Sequence, residues 1–461
     1  MVVFLRKLQA LLSLRDDIPF DKNKFSLIIK TIAKNSDIVE DEIKDTNPDL
    51  EVSAFLNAFV KPRAKSRERA GWRTIANLIR VGVVFKQQTL QTTVKNINAI
   101  DSNPGLEEKL KSIDRYDFDV FELNEASRGK PLYVIFTYYL RRFGLLEHFN
   151  IDREVLHAFL REIETHYGYN AFHNSIHAAD VLQTFMYLLD LIGMIPFLTH
   201  EELLAVILAA AMHDFQHPGT TNQFQILSSS DLAITYSDKS VLESHHVASF
   251  YRVLQQEKYN ILKTLSAKQR RQIREISIGL ISATDLSFQG SFMNQLQAVY
   301  DVSHGHIDLM SEKSLVLKLC LKLADTANTS KPLYLHFSWI SRLQREFFIQ
   351  GDKEKELGMD VSPFMDRTKC NFTKCQNSFI EYVTYPYVAL FAKCFKEAAP
   401  ILEYSKQVKE YWSNSVVVST FEEVEQMIRN ELAKVNKVVT QSHLGANTSF
   451  NTTPREQGTE E

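Results

Sequence analysis

The sequence predicts an almost entirely α-helical protein. Runs that alternate apolar and polar residues between turn residues are scarce, whereas apolar residues recur at helical spacing along most of the 461-residue chain. The longest wholly apolar run, 203–212, is too short to cross a bilayer. Because it is apolar on every side, we expect it to form a central, buried helix. The prediction is therefore a compact multi-helix domain, preceded by a smaller helical segment.

The chain divides into three parts by composition. Residues 1–105 mix basic amphipathic stretches with an acidic patch and end in a turn-forming cluster, so we expect a separate N-terminal region there. Residues 106–439 are densely helical and aromatic-rich and form the predicted main domain. The tail, 440–461, is rich in Ser, Thr, Asn and Gly and is predicted to be disordered.

Bulk composition excludes several classes of protein. The net charge of −3 argues against a partner that is a nucleic-acid polymer, and the four cysteines form no CxxC pair that would indicate a disulfide framework or a thiolate zinc site. The apolar stretch at the N-terminus is interrupted by Arg6 and Lys7, unlike a signal peptide. We expect a cytoplasmic protein without a transmembrane segment.

Two short motifs place ionisable residues on predicted helices. In the first, His173, His177 and Asp180 have i, i+4, i+7 spacing, so they share one face of a helix. In the second, His213 and Asp214 directly follow the apolar run, with His217 three residues further on. A lone buried histidine is more often a satisfied core residue than a ligand, but buried ionisable groups that converge need a partner.

Divalent metal ions are the partner that this residue set suits best. Histidine and aspartate bind zinc, and carboxylate with water binds magnesium or manganese. An adjacent His-Asp pair allows the carboxylate to bridge two ions, and two-ion sites hydrolyse phosphate esters. One further acidic ligand is needed, and Asp325 follows another apolar helical stretch.

Several motifs together resemble the class I 3′,5′-cyclic nucleotide phosphodiesterases, and most of all the calcium/calmodulin-dependent class. The resemblance covers roughly residues 70–430. The segments that match in order and spacing are FDVFELNEAS at 118–127, FHN…V at 172–181, HDFQHPGTTN at 213–222, SVLESHH at 240–246, Thr284-Asp285, and EFFIQGD…SPFMDR at 346–367.

The resemblance implies roles for individual residues. The first ion, usually zinc, would be held by His177, His213, Asp214 and Asp325; Asp214 would also bridge to a second ion, usually magnesium or manganese. The residues expected to order the water of that ion are His217, Glu243, His245, Thr284 and Asp285. His173 would be the general acid, oriented by Glu346. The residues expected to bind the nucleotide base are Gln376, Phe379, Leu343, Asn328 and His336.

The implied activity is hydrolysis of cyclic AMP, cyclic GMP or both to the 5′-monophosphate. Two cations would activate a hydroxide, and His173 would protonate the leaving oxygen. The amide of Gln376 can donate and accept hydrogen bonds, so we expect dual use of adenine and guanine nucleotides. Departures from the family pattern at Phe172, Lys322, Ala327 and Thr329 leave substrate preference and rate open.

The segment 61–86 carries eight Lys or Arg residues and one Glu. Counted from Trp72 as position 1, Ile79 and Phe85 stand at positions 8 and 14, a spacing that suits calmodulin anchors. The matching family segment binds calcium–calmodulin, which we therefore expect as a partner. The alternatives are a helix packed on the main domain or touching an anionic membrane. The sequence does not decide whether the protein forms a homodimer.

Two other functions fit part of this pattern. An HD-type phosphohydrolase of other phosphate esters would keep the His-Asp core but has no need for Gln376, Phe379 and the 346–367 block. A catalytically inactive sensor of cyclic nucleotides would be expected to lack His173 or a metal ligand, and none is lost. A product assay with and without a chelator separates the three.

Overall fold

The computed structural model describes residues 104–369, 371–415, 418 and 422–434. Over these residues the chain is helical and contains no strand, which confirms the predicted fold class. The helices are α1 Pro104–Leu110, α2 Val120–Ala126, α3 Pro131–Arg142, α4 Leu145–His148, α5 Arg153–His166, α6 Ser175–Leu191, α7 His200–Met212, α8 Asn222–Leu227, α9 Asp231–Tyr236, α10 Val241–Leu254, α11 Ala267–Ile281, α12 Gln289–Val302, α13 Lys313–Asp325, α14 Leu333–Glu356, α15 Phe372–Phe379, α16 Tyr385–Cys394 and α17 Ala399–Asn414.

Helix α7 is the centre of the main core, as the apolar run predicted. Every residue of 203–212 is buried. A capping box begins the helix: the Thr199 hydroxyl accepts from the Glu202 amide, and the Glu202 carboxylate accepts from the Thr199 amide. Helices α6 and α11 pack against α7, and α13 packs against α6. Burial on all sides leaves α7 only its ends at which to present polar residues.

A second apolar cluster lies beside this core. It joins α14, α15 and α17 through Phe337, Phe372 and Trp412 and includes Val424 and Ile428 of a helical segment at 422–434. Helix α14 needs a glycine at Gly351, where a Cβ would stand 1.9 Å from the Met365 carbonyl oxygen. Within the described residues, none of the helices combines the length and apolar character needed to cross a bilayer.

Three helix ends meet at one point, and this convergence positions the site. Asn174 caps α6 by accepting from the Ile176 amide (2.9 Å), which places His177 in the first turn. Helix α7 ends at its C-cap residue His213, and α13 ends at Asp325. The ligands predicted from separate parts of the sequence therefore lie at helix termini, where side chains can reach a common point.

Candidate metal and catalytic site

His177, His213, Asp214 and Asp325 form one cluster in which four ligand atoms lie within 4.8 Å of one another. The two Nε2 atoms are 3.2 Å apart, and His177 Nε2 is 3.2 Å from Asp325 Oδ1. His213 Nε2 lies 3.3 Å from an oxygen of Asp214 and 3.3 Å from one of Asp325. The remaining measured separation, between His177 Nε2 and Asp214 Oδ2, is 3.5 Å.

These separations fit a metal ion at the centre. Ligands about 2.0–2.1 Å from a tetrahedral ion stand roughly 3.3 Å from each other. His213 Nδ1 donates to the Ala210 carbonyl oxygen (2.9 Å), so its Nε2 presents a lone pair to the cluster. Two imidazoles and two carboxylates that face one point are a donor set suited to a divalent cation.

The electrostatics of the cluster also favour a cation. Burial disfavours the charged forms of Asp214 and Asp325, but His213 and His177 hold the pKa of both carboxyls well below the usual range. Burial would likewise lower the pKa of His213, yet the two carboxylates raise it well above its ordinary value. The cluster therefore has negative potential and holds both acids as carboxylates, the form that binds metal.

His173 lies beside the cluster and is held by Glu346 of α14. Its Nδ1 donates a short hydrogen bond to Glu346 Oε1, while the backbone amides of Phe172 (2.9 Å) and His173 (3.1 Å) donate to Oε2. Burial lowers the pKa of His173, but the Glu346 carboxylate outweighs it and raises the pKa to about 9. The imidazole is therefore protonated at neutral pH, as a general acid requires.

His217 stacks on His173, with ring centroids 3.9 Å apart and an angle of 18° between the planes. Its Nδ1 accepts from the Gly219 amide (3.0 Å), so the proton of the neutral ring is on Nε2. Burial and the neighbouring His173 cation hold the pKa of His217 well below its usual value. The site thus pairs a charged imidazole with a neutral one.

Asn170 joins the loops that carry these two histidines, and the sequence analysis did not identify it. Its Nδ2 donates to the His173 carbonyl (3.1 Å) and to the His217 carbonyl (2.6 Å). Gly219, at φ +72°, leaves room for this amide: a Cβ there would stand 2.7 Å from Asn170 Oδ1. The only sequence signal was the proximity of Asn170 to the His173 motif.

The structure corrects the choice between two adjacent histidines. His245 was expected to help order the water of the second ion, but its ring lies 3.4 Å from the Ser249 hydroxyl and near Tyr236. His246 instead approaches Asp214, with Nε2 3.6 Å from Oδ1. Burial lowers the pKa of His246 to about 4, and its Nδ1 donates to the Phe215 carbonyl (2.8 Å). Its neutral ring therefore turns a lone pair toward Asp214.

Glu243 and Thr284, which were also predicted to order water, lie outside the four-residue cluster. Both carboxylate oxygens of Glu243 accept from Asn222 Nδ2 at 3.1 Å. Burial, and then the charges of Asp285 and Asp214, raise the pKa of Glu243 to about 8. Thr284 donates its hydroxyl proton to the Ile281 carbonyl (2.8 Å) and keeps its lone pairs.

Asp180 does not join the metal cluster, contrary to its predicted shared face with the histidines. It forms a buried ion pair with Lys331, with Nζ 3.2 Å from Oδ1. His173 precedes the first residue of α6, so the i, i+4, i+7 spacing applies to only part of the motif. The position of His173 follows from the cap at Asn174, because the helix begins two residues after His173. Asp180 lies within the helix, and its pairing with Lys331 keeps it out of the cluster.

The residues predicted to bind the nucleotide base have fewer polar contacts than the residues of the metal cluster. Gln376 is buried on α15, and no described residue forms a hydrogen bond with its side-chain amide. Phe379, one turn later, packs with Phe347 of α14 against a small buried cluster. Leu343, half-buried, stands on α14 one turn before Glu346. An apolar residue from each of two helices and an unpaired amide are suited to binding a flat, polar-edged ring.

His336 was predicted to bind the base, and its surroundings correct that prediction. The ring is completely buried: Nδ1 donates to the Asn328 carbonyl (2.7 Å), and Nε2 accepts from Trp412 Nε1 (2.7 Å). Both nitrogens are occupied, so His336 has no polar atom to offer a ligand. It supports the backbone of Asn328, which lies at the edge of the buried region.

The calmodulin anchors Trp72, Ile79 and Phe85, together with the rest of 61–86, lie outside the described residues, as do 1–103 and 435–461. The predicted boundary at 105 falls within α1, the first described helix.

Residues 172–405 match the 3′,5′-cyclic nucleotide phosphodiesterase family. The human dual specificity calcium/calmodulin-dependent 3′,5′-cyclic nucleotide phosphodiesterase 1C is 35% identical over 384 residues, 82% of this chain and 53% of that protein. A Drosophila melanogaster relative, dual specificity calcium/calmodulin-dependent 3′,5′-cyclic nucleotide phosphodiesterase 1, is 34% identical over 75% of this chain and 42% of its own length. The probable 3′,5′-cyclic-AMP phosphodiesterase pde-4 of Caenorhabditis elegans is 37% identical over 67% and 47%. The chain thus spans about half the length of these relatives.

A solved structure agrees in fold. The phosphodiesterase domain of the RhoPDE fusion protein from the choanoflagellate Salpingoeca rosetta superposes with a TM-score of 0.61 at 30% identity, covering 66% of this chain and 96% of that one. The helical fold, the His/Asp cluster and the family match agree, and the chain belongs to the 3′,5′-cyclic nucleotide phosphodiesterase family.

Proposed function

We propose that this protein hydrolyses 3′,5′-cyclic nucleotides to 5′-monophosphates. The observation that carries the proposal is the cluster of His177, His213, Asp214 and Asp325, whose ligand atoms are spaced for a metal ion, next to a protonated His173. Divalent ions bound there would neutralise the charge of the cyclic phosphate and supply a hydroxide at neutral pH.

In this proposal the protein's own residues control one proton. The Glu346 carboxylate keeps His173 as an imidazolium and fixes the orientation of its ring. When the bond between phosphorus and O3′ breaks, His173 transfers a proton to O3′, so that a neutral hydroxyl leaves instead of an alkoxide. The stacked His217 is neutral and adds no competing charge to the face of the acid.

For the ions themselves, we propose zinc at the four-residue cluster and magnesium or manganese beside Asp214. Two imidazoles and two carboxylates are a ligand set typical of zinc. Magnesium keeps several waters and uses one or two carboxylates, which suits Asp214 with Glu243 and Asp285 nearby. Elemental analysis of protein purified without added metal tests the first assignment: it would be refuted by a stoichiometric metal other than zinc.

We propose dual use of cyclic AMP and cyclic GMP. The support is the buried Gln376 amide, with which no described residue forms a hydrogen bond. A rotatable amide can donate to or accept from either base. Relatives named as dual specificity and as acting on cyclic AMP are similar to this chain at comparable identity. Steady-state kinetics on both nucleotides test this, and strong selectivity would contradict it.

We further propose that calcium–calmodulin binds 61–86 and relieves restraint of the domain, in the cytoplasm. The support is the basic segment with anchors at Trp72, Ile79 and Phe85, and relatives named as calmodulin-dependent. The 461-residue chain should co-elute with calmodulin in calcium and not in chelator. Trp72→Ala should weaken co-elution with calmodulin. Trp339→Ala, in the described core, tests whether a general loss of folding weakens co-elution in the same way.

The main experiment is a product assay with cyclic AMP and cyclic GMP, with and without a chelator. We expect 5′-monophosphate, abolished by the chelator and restored by added zinc and magnesium. An HD-type hydrolase of other phosphate esters would leave both nucleotides intact, and an inactive sensor would bind them without product. Turnover that persists after complete metal removal would refute the proposal.

A further inference from the structure

Lys322 is a completely buried lysine whose polar contacts are all to backbone. Its Nζ donates to three consecutive carbonyl oxygens, those of Ala283 (3.1 Å), Thr284 (2.9 Å) and Asp285 (3.0 Å). An ammonium group has three protons, so these bonds use all of them. A buried charge is tolerated only when it is fully hydrogen-bonded, and here one turn of backbone supplies every acceptor.

The contact joins two parts of the site. Lys322 lies one turn before Asp325 at the end of α13, whereas 283–285 follows the end of α11 and carries Thr284 and Asp285. Lys322 is therefore a direct link between the helix that bears a ligand of the first cluster and the turn that bears the second acidic group.

The turn at 283–285 also contacts α10, through a side-chain hydrogen bond. Asp285 Oδ2 accepts from the Ser240 hydroxyl (2.7 Å), and Ser240 is the N-cap residue of α10. The first turn of α10 carries Glu243, which Asn222 holds at both oxygens. A continuous series of polar contacts thus runs from the helix of Asp325 to the carboxylates on the side of the proposed second ion.

We propose that Lys322 is a positioning residue that sets the affinity of the second divalent ion, by fixing the 283–285 turn relative to Asp325. The proposal rests on the two-ion site of the proposed function. A residue with fewer donors at this position would leave one or more of the three carbonyls without this partner. The turn would then be free to move, and with it Asp285.

The test is direct Mn²⁺ binding to the 461-residue chain, measured by the electron paramagnetic resonance signal of free Mn²⁺, together with zinc content. Lys322→Met keeps the chain length and removes all three donors. We expect the Mn²⁺ dissociation constant to rise by about 10–100-fold, the usual effect of removing an outer-shell partner, with zinc retained. Lys322→Gln keeps two N–H donors, so its Mn²⁺ dissociation constant should lie between those of the unmodified protein and Lys322→Met. It provides a milder variant if the Met form does not fold.

The matched control is Lys318→Met on the same helix. Lys318 is half-buried, and its Cε lies 3.9 Å from the position of a Cβ on Gly279 of α11; among the described residues it has no hydrogen-bond partner. Its replacement should leave Mn²⁺ affinity unchanged. Thermal melting of all variants separates stability from affinity.

Three outcomes would overturn the proposal. The first is a lower melting temperature of the Lys322 variants with unchanged Mn²⁺ affinity, and the second is an equal loss of affinity in Lys318→Met. The third is absence of Mn²⁺ binding in the unmodified protein. If the unmodified protein binds Mn²⁺ and the Lys322 variants bind it more weakly, but cyclic nucleotides are not cleaved, then the proposed activity fails while the positioning role stands.

Discussion

The site has a metal side, formed by the four-residue cluster and its neighbouring histidines, and a base side, formed by Gln376, Phe379 and Leu343. The two sides differ in how many contacts fix their side chains. On the metal side, His213, His173 and His246 each have a second contact that fixes the ring, to the Ala210 carbonyl, the Glu346 carboxylate and the Phe215 carbonyl. On the base side, Gln376 has no hydrogen-bond partner among the described residues, and Leu343 and Phe379 are half-buried.

If the proposed roles hold, this difference separates the residues that perform the chemistry from those that recognise the base. Ion binding and proton transfer lose efficiency steeply when ligand atoms move, so their side chains are preorganised by outer contacts. A base-binding amide that must serve two purines gains from rotational freedom. Mutations on the metal side should therefore change catalysis by orders of magnitude, and those on the base side by small factors.

The largest expected effect is that of Asp214→Ala. Asp214 contacts both histidines of the cluster and also faces His246, so its loss would remove the charge that both proposed ions share. We expect loss of bound metal and turnover at background, beyond the roughly 10²–10⁴-fold cost of losing a general acid. Elemental analysis and the product assay measure both. Asp190→Ala, an exposed aspartate on α6, is the control; full metal occupancy in Asp214→Ala would refute the assignment.

His173→Ala should have the next largest effect. Without the imidazolium, O3′ would leave as an alkoxide, and we expect kcat to fall by about 10²–10⁴-fold. Zinc content should not change, because His173 lies outside the four-residue cluster. His306→Ala, an exposed histidine, controls for a general effect of removing an imidazole. An unchanged kcat would exclude His173 as the acid.

Glu346→Gln should have a smaller effect that depends on pH. The acid must be protonated, so activity falls as pH rises through the pKa of His173, which burial lowers but Glu346 raises to about 9. An amide cannot supply that charge, so the alkaline limb of kcat should move to lower pH, by about 1–3 units. A pH profile measures this, with Glu356→Gln at the exposed end of α14 as control. An unmoved limb would mean that another group titrates.

The sequence could predict the metal side because its chemistry is local. His213 and Asp214 follow a buried helix directly, and any helix with that apolar run delivers them to the interior. It could not predict which of His245 and His246 faces Asp214, since neighbouring residues on a helix point about 100° apart and the rotation of α10 is set by packing.

The sequence could not predict contacts between distant residues, for a different reason. Asp180 pairs with Lys331 across 151 residues, and Lys322 binds a turn nearly forty residues earlier, at separations of 37 to 39. No periodicity encodes such contacts. On the base side, Gln376 and Phe379 carry no chemical signal of their own on a helix, and only the family resemblance identified them.

The smallest expected effect is that of Gln376→Ala, and it tests the base side of the comparison. One neutral hydrogen bond contributes about 0.5–1.5 kcal/mol, so kcat/KM should fall by roughly 2- to 10-fold. Because the amide is free to serve either base, the loss should be similar for cyclic AMP and cyclic GMP. Asn377→Ala is the matched control, since that amide faces Ser413 of α17. A loss confined to one nucleotide would show that bound Gln376 is held in one orientation, and the contrast between a rigid metal side and an adaptable base side would no longer hold.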